Sequence, residues 1–399
     1  MTGPINWLSQ IASVTQFNFL TLPQRKGSSA AAIFGIAGVV AVMVAVLSIA
    51  EGILQTMENS ASPENVIVMR GGSNSEMMSI LSGDDVRIIS EGPGLARDEN
   101  GAIASPELFV VINLPMRSTG TDANVPLRGI GRKAMGVREE FRIVDGRMFE
   151  WGLNEVIVGV GARYEFSGLE IGSMITVAQE QWLVVGVFEV AGGLAETEIW
   201  VDSAVLQPVY RRGNSFQVVY AKLESEGSFP EFKDVLTSDP RLNVKPMRET
   251  DYYESQSEIL YRLITGLGVL IAVIMGFGAV FGALNTMYTA VSSRTREIAT
   301  LRALGFHSSP VVISVLIESL LLAFIGGVIG AGLAWWVFDG FRAATLNFTS
   351  FSQVAFAFDV SLPLLTRGII FAMIIGLIGG LFPAVRSVRQ PVSTALREL

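Results

Sequence analysis

The chain has 399 residues, 50% of them hydrophobic, with 29 Lys and Arg against 37 Asp and Glu and a formal net charge of −8. Its lack of cysteine excludes disulfides, thiolate metal sites and cysteine nucleophiles. A single histidine, His307, excludes any multi-histidine metal site and reads as structural.

At the amino end, Ile5, Leu8, Ala12, Thr15 and Phe19 recur at helical spacing. This predicts a cytoplasmic segment over 1–29 with an interfacial helix on the bilayer, Trp7 and Phe17 lying at headgroup depth. Residues 30–50 follow without a charge. A signal-peptide core would run roughly 7–15 residues, whereas a hydrocarbon core of about 30 Å needs roughly 20 helical residues. The run is read as a first transmembrane helix.

Between 51 and 260 the chain turns polar, with 32 acidic and 18 basic residues and a net charge of −14. That charge does not fit a nucleic-acid surface. The β-branched and aromatic runs Val66–Met69, Phe109–Ile112, Val156–Val158, Met174–Val177, Trp182–Val190, Ile199–Val201 and Phe216–Ala221 predict strands. Gly71–Asn74, Ser118–Asn124 and Gly192–Gly193 separate them. Ser82 with Asp85 three residues on reads as a capping box ahead of Val86, Ile88 and Ile89, and Phe229–Leu236 as another short helix. Thr250–Leu260 holds no Gly or Pro and runs into the next apolar stretch, which predicts a stalk helix continuous with the second span.

Further spans are predicted over 261–290, 311–338 and 368–385, with a loop over 291–310, a short periplasmic loop over 339–367 and a tail over 386–399. Only helices satisfy their own backbone hydrogen bonds in lipid at this length. The expected fold is a membrane protein with four transmembrane α-helices in a 1+3 arrangement and a large α/β periplasmic domain inserted between the first and second. Arg25 and Lys26, then Arg294, Arg296 and Arg302, then Arg386, Arg389 and Arg397 fall on one side of such a chain. The positive-inside rule makes that side cytoplasmic, with both termini inside and the polar block outside. Glu318, the one charge of the third stretch, is expected to take a polar or basic partner from another helix. Gly278 and Gly282 allow close helix approach, either within the chain or at a seam between two copies.

Catalytic patterns are missing. None of the five lysines follows a glycine, so there is no P-loop. There is no G-x-S-x-G elbow, H-E-x-x-H pair or dinucleotide fingerprint. The pairs Asp84–Asp85, Glu139–Glu140 and Arg211–Arg212 read as solvated surface. No enzymatic activity, metal or bound cofactor is expected of this chain.

The most specific signal lies in the loop over 291–310. At helical spacing Ile298, Leu301 and Leu304 share a face, while Arg294, Arg296, Glu297 and Arg302 stay polar. Gly305 is placed to end that helix and Pro310 to open the next span. An amphipathic helix here either rests on lipid or docks a soluble partner. T-R-E-I-A-T-L-R-A-L-G (Thr295–Gly305), E-S-L-L-L (Glu318–Leu322) and G-G-V-I-G (Gly326–Gly330) resemble the MacB/LolC/FtsX family of ABC transporter permeases. The ending through Pro383, Ala384, Arg386, Pro391, Ala395, Leu396 and Arg397 is similar to that family's, as are Gly35–Val42 and Glu51–Gly52 near the front. L-R-G-I (Leu127–Ile130), D-G-R-M-F (Asp145–Phe149), E-V-I-V-G (Glu155–Gly159) and W-L-V-V-G-V-F (Trp182–Phe188) resemble a MacB-type periplasmic core.

The resemblance implies a multi-pass permease subunit of a bacterial inner membrane that pairs with a second permease chain, alike or different. It would bind a separate cytoplasmic ABC ATPase carrying the ATP and Mg, and turn ATP binding into motion of its periplasmic domains. A periplasmic adaptor is a further implied partner, alongside membrane lipid. Export by such motion is the expected function. Lipoprotein extraction from the membrane and FtsX-like control of a periplasmic enzyme are the alternatives, and an ATPase-free sensor or scaffold would leave the arginine-bearing loop without a purpose.

Overall fold

The structure, a computed structural model, describes residues 4–21, 26–292, 294–303, 306–346 and 353–389. It divides into two compact units: residues 1–51, 262–341 and 358–399 form one, and residues 52–261 and 342–357 the other.

The first unit carries helices long and apolar enough to cross a membrane, and there are four of them among the described residues. They are Lys26–Asn59, the Leu260–Ser292 part of Glu249–Ser292, Ser308–Phe338 and Leu362–Arg389. Each extends beyond its apolar run, because a helix ends where its backbone is capped or broken, not where hydropathy falls. Val40, Val44, Ala323, Leu364 and Ala372 pack between them. Small residues set the spacing. A Cβ added at Gly330 would lie 2.3 Å from the Ala37 carbonyl oxygen, and one at Gly376 would lie 2.4 Å from Ala323 Cβ. Ser319 Oγ donates to the Gly376 carbonyl at 2.6 Å, filling a hydrogen bond that lipid cannot supply.

Gly278 and Gly282 behave differently. A Cβ at either meets nothing within 4 Å, so close packing inside this chain is not their role. Their helix is also the least covered: 22% of its most apolar window is buried, against 44% for each of the others. The amino-terminal segment forms the helix Pro4–Thr21. It leans on the start of the third span, where Trp7 Nε1 donates to Ser309 Oγ at 3.0 Å and the His307 amide donates to Gln10 Oε1 at 3.3 Å.

The second unit is an α/β domain around a ten-stranded, mostly antiparallel sheet. In order across the sheet the strands are Val244–Arg248, Asn65–Arg70, Val218–Lys222, Ala104–Pro115, Asp122–Ile130, Ile199–Asp202, Glu155–Gly159, Glu180–Val190 and Phe141–Gly146, with Met174–Val177 beside Glu180–Val190. Ala104–Pro115 joins two cores: Ala104–Glu107 pairs with Val218–Ala221 and Leu108–Pro115 with Asp122–Gly129. One core gathers Val66, Leu95, Val219 and Phe232; the other gathers Leu127, Val158, Phe166 and Trp182. The capping box holds, with Asp85 N donating to Ser82 Oγ and Ser82 N to Asp85 Oδ2, and it opens the helix Gly83–Ser90. Three strands of the large sheet had not been expected: Asp122–Ile130, Phe141–Gly146 and Val244–Arg248. The segment 339–367 is more than a loop, because its hairpin Arg342–Leu346 with Gln353–Ala357 belongs to the α/β domain.

Candidate functional site

The loop between the second and third spans folds as the helix Thr295–Ala303. Its Ile298 and Ala299 are buried, and Arg296, Glu297 and Thr300 are exposed, giving the expected two-faced helix. Arg302 is half-buried, while Leu304 and Gly305 lie outside the described residues, as do Pro391, Ala395, Leu396 and Arg397. Arg294 departs from its reading as a residue of the polar face. Its side chain is 9% exposed and its Nη1 lies 3.4 Å from Glu318 Oε2, itself on a side chain only 3% exposed. Glu318 thus has a basic partner from the loop. Nearby, the Arg386 guanidinium sits 5.5 Å from the Tyr288 ring centroid, tying the fourth helix to the second.

A second constellation, in the α/β domain, escaped sequence reasoning. Arg128, 3% exposed, contacts Glu76 at 2.7 Å, Glu107 at 3.1 Å and Glu198 at 2.7 Å. Arg138 reaches the other oxygen of Glu107 at 2.7 Å. Tyr220 Oη donates to Glu76 and Trp200 Nε1 to Glu198, at 2.8 and 2.7 Å. Both guanidiniums also stack over aromatic rings, Arg128 over Phe109 and Arg138 over Trp200. Burial disfavours the charge on Arg128, but the Coulomb attraction of Glu198 and Glu76 holds it firmly protonated. Buried Glu107 likewise ends below the usual carboxylate range, because Arg138 and Arg128 outweigh its desolvation. The only hint in the sequence was the L-R-G-I stretch that contains Arg128. The D-G-R-M-F and E-V-I-V-G stretches meet too, through Arg147 and Glu155 at 2.5 Å.

Among the described residues no group of three or more His, Cys, Asp or Glu could hold a metal. What the residues build is an α/β domain, a helix without interruption from Glu249 to Ser292, and a two-faced loop helix beginning at Thr295. These features define a multi-span membrane protein of the permease class, with its folded domain inserted between the first two spans.

Residues 29–238 match the family of the MacB-like periplasmic core domain, and residues 269–392 match the FtsX-like permease C-terminal family. The chain belongs to the MacB-like family of ABC transporter permeases. It is 25% identical over 415 residues to a macrolide export ATP-binding/permease protein, MacB, of Bdellovibrio bacteriovorus, covering 95% of this chain and 60% of that one. It is 37% identical over 117 residues to the ABC transporter permease YvrN of Bacillus subtilis, covering 29% of this chain and 26% of that one. The chain thus spans about 60% of the length of the MacB relatives it matches end to end. Among solved structures, the periplasmic region of MacB from Actinobacillus actinomycetemcomitans matches 51% of this chain and 96% of its own, at 13% identity and a TM-score of 0.37.

Proposed function

We propose that this chain is the membrane subunit of an ABC transporter and works by transmitting force. A cytoplasmic ATPase docks on the loop helix, two permease chains pair, and ATP binding draws their inner ends together. The helix Glu249–Ser292 then carries that movement to the α/β domain, which pushes a substrate outward. The observation that supports this most is the continuity of that one helix, 44 residues without a break. No proline interrupts it, and an unkinked helix bends little over its length. The basic residues flanking the spans support a cytoplasmic loop helix and an α/β domain outside the inner membrane.

The exposed second span, with Gly278 and Gly282 open to approach, is the seam we assign to the second permease chain. Inserting Gly-Pro at Ser257 tests the reading. Export should stop while the partner's ATP hydrolysis continues. Export that survives the break would overturn transmission through the stalk and point to a path among the spans.

A further inference from the structure

The helix Glu249–Ser292 starts with a buried acid. Glu249 is 3% exposed. Its Oε2 accepts from the Ser62 amide at 2.9 Å and from Asn65 Nδ2 at 2.9 Å, and Asn65 Nδ2 also donates to the Val137 carbonyl at 3.0 Å. Ser62 follows the helix Lys26–Asn59, and Asn65 opens the strand Asn65–Arg70. One carboxyl oxygen therefore fastens the start of the helix containing the second span to the end of the helix containing the first, and both to the sheet.

Both donors are neutral, and no cation forms an ion pair with Glu249 among the described residues. The nearby charges are committed elsewhere. Arg138, on the turn after Ala134–Val137, is bonded to Glu107 of the strand Ala104–Pro115. Lys222, on Val218–Lys222, is held by Glu64 and by Glu139. Glu140 adds a further acid, and Tyr253 lies on Glu249's own helix. Beside Glu249 is a cavity of about 140 Å³, lined among others by Ser62, Asn65, Arg138 and Lys222. At roughly 30 Å³ each, it has room for a few waters. Burial lifts the Glu249 carboxyl from its ordinary 4.5 to about 7, the hydrogen bonds from Ser62 and Asn65 and the charge of Arg138 pulling the other way. A protonated carboxyl keeps one oxygen free to accept both bonds.

We propose that Glu249 is a proton-controlled pin at the root of the stalk: neutral, it locks the two helix ends to the sheet, and ionised, it opens the joint to water. The pin deepens the transmission reading and rests on it for its consequence, since a loosened root passes less of the helix's movement to the domain.

Hydrogen exchange on the full chain in detergent tests the pin without ATP or any partner. With intrinsic rates divided out, protection of the Ser62 amide and of residues 252–255 should fall about tenfold between pH 6 and pH 8, the change expected when a carboxyl near 7 in the closed joint returns to 4.5 in the open one. Glu249→Gln keeps an acceptor oxygen and cannot ionise, so its protection should be equal at both pH values. A flat wild-type profile overturns the pin, as does a Gln variant that retains the wild-type slope. The wild-type slope decides alone if the variant does not fold. Failure here removes the pin and leaves the stalk reading to the Gly-Pro insertion.

Discussion

Arg294 Nη1 stands 3.4 Å from Glu318 Oε2, joining the residue ahead of the loop helix to the inner part of the third-span helix, and both side chains are buried. An ion pair shielded from water is held mostly by the cost of separating it. Replacing Glu318 with Leu should destabilise the protein by about 3–5 kcal/mol by leaving Arg294 without this partner. The double variant Glu318→Leu, Arg294→Met should recover much of that loss. Thermal unfolding in detergent checks it, and a double variant no better than the single one would contradict it.

The exposed face of the loop helix presents Arg296 and Glu297. Exchanging the two charges, Arg296→Glu with Glu297→Lys, should weaken ATPase binding at least about tenfold, or about 1.4 kcal/mol, with unfolding unchanged. Co-purification of the ATPase from membranes reads the outcome, and full retention would remove the docking role.

Two sets of glycines should respond in opposite ways. At Gly330 an added Cβ would meet the Ala37 backbone at 2.3 Å, so Gly330→Ala should lower stability by about 1–3 kcal/mol through overpacking. At Gly278 nothing lies within 4 Å, and Gly278→Ala should leave the isolated chain unchanged or raise its stability by up to about 1 kcal/mol through helix propensity. Cross-linking between second spans should nevertheless fall in Gly278→Ala. Unaltered cross-linking would place the seam on another face.

The buried acids of the α/β domain set opposite pH limits. Glu107, held below the ordinary range by Arg138 and Arg128 despite its burial, stabilises the fold above its unfolded value, and that contribution is lost as pH falls through its folded one. Glu249, raised by burial to about 7, does the reverse: the folded state binds its proton more tightly, so stability declines as pH climbs from 4.5 to about 7, by of order 3 kcal/mol. Unfolding followed by tryptophan fluorescence should show greatest stability at about pH 4.5–5 and a fall on both sides. Glu249→Gln should flatten the upper limb. Arg128→Met, which strips three carboxylates of a guanidinium, should cost about 3–5 kcal/mol at pH 7 and less in acid.

The sequence by itself determined whatever depends on contiguous residues. Span number and order follow from the length of apolar runs, the helix at Gly83 from Ser82 and Asp85, and the loop helix from the spacing around Ile298. Val66–Met69, Val156–Val158 and Met174–Val177 carry enough β-branched side chains to show as strands on their own. Asp122–Ile130 and Val244–Arg248 contain Pro126 and Pro246, and Phe141–Gly146 alternates with charged side chains, so pairing with strands far along the chain makes them strands. Tertiary structure alone brought Arg128 to Glu76 and Glu198, 52 and 70 residues away, and turned Arg294 from a surface charge into a buried partner of Glu318. It also showed that Gly330, not Gly278, is crowded by a neighbouring helix. Periodicity reports which face of an element is apolar. Which charge is buried beside which depends on the path of the whole chain, and no local pattern encodes that path.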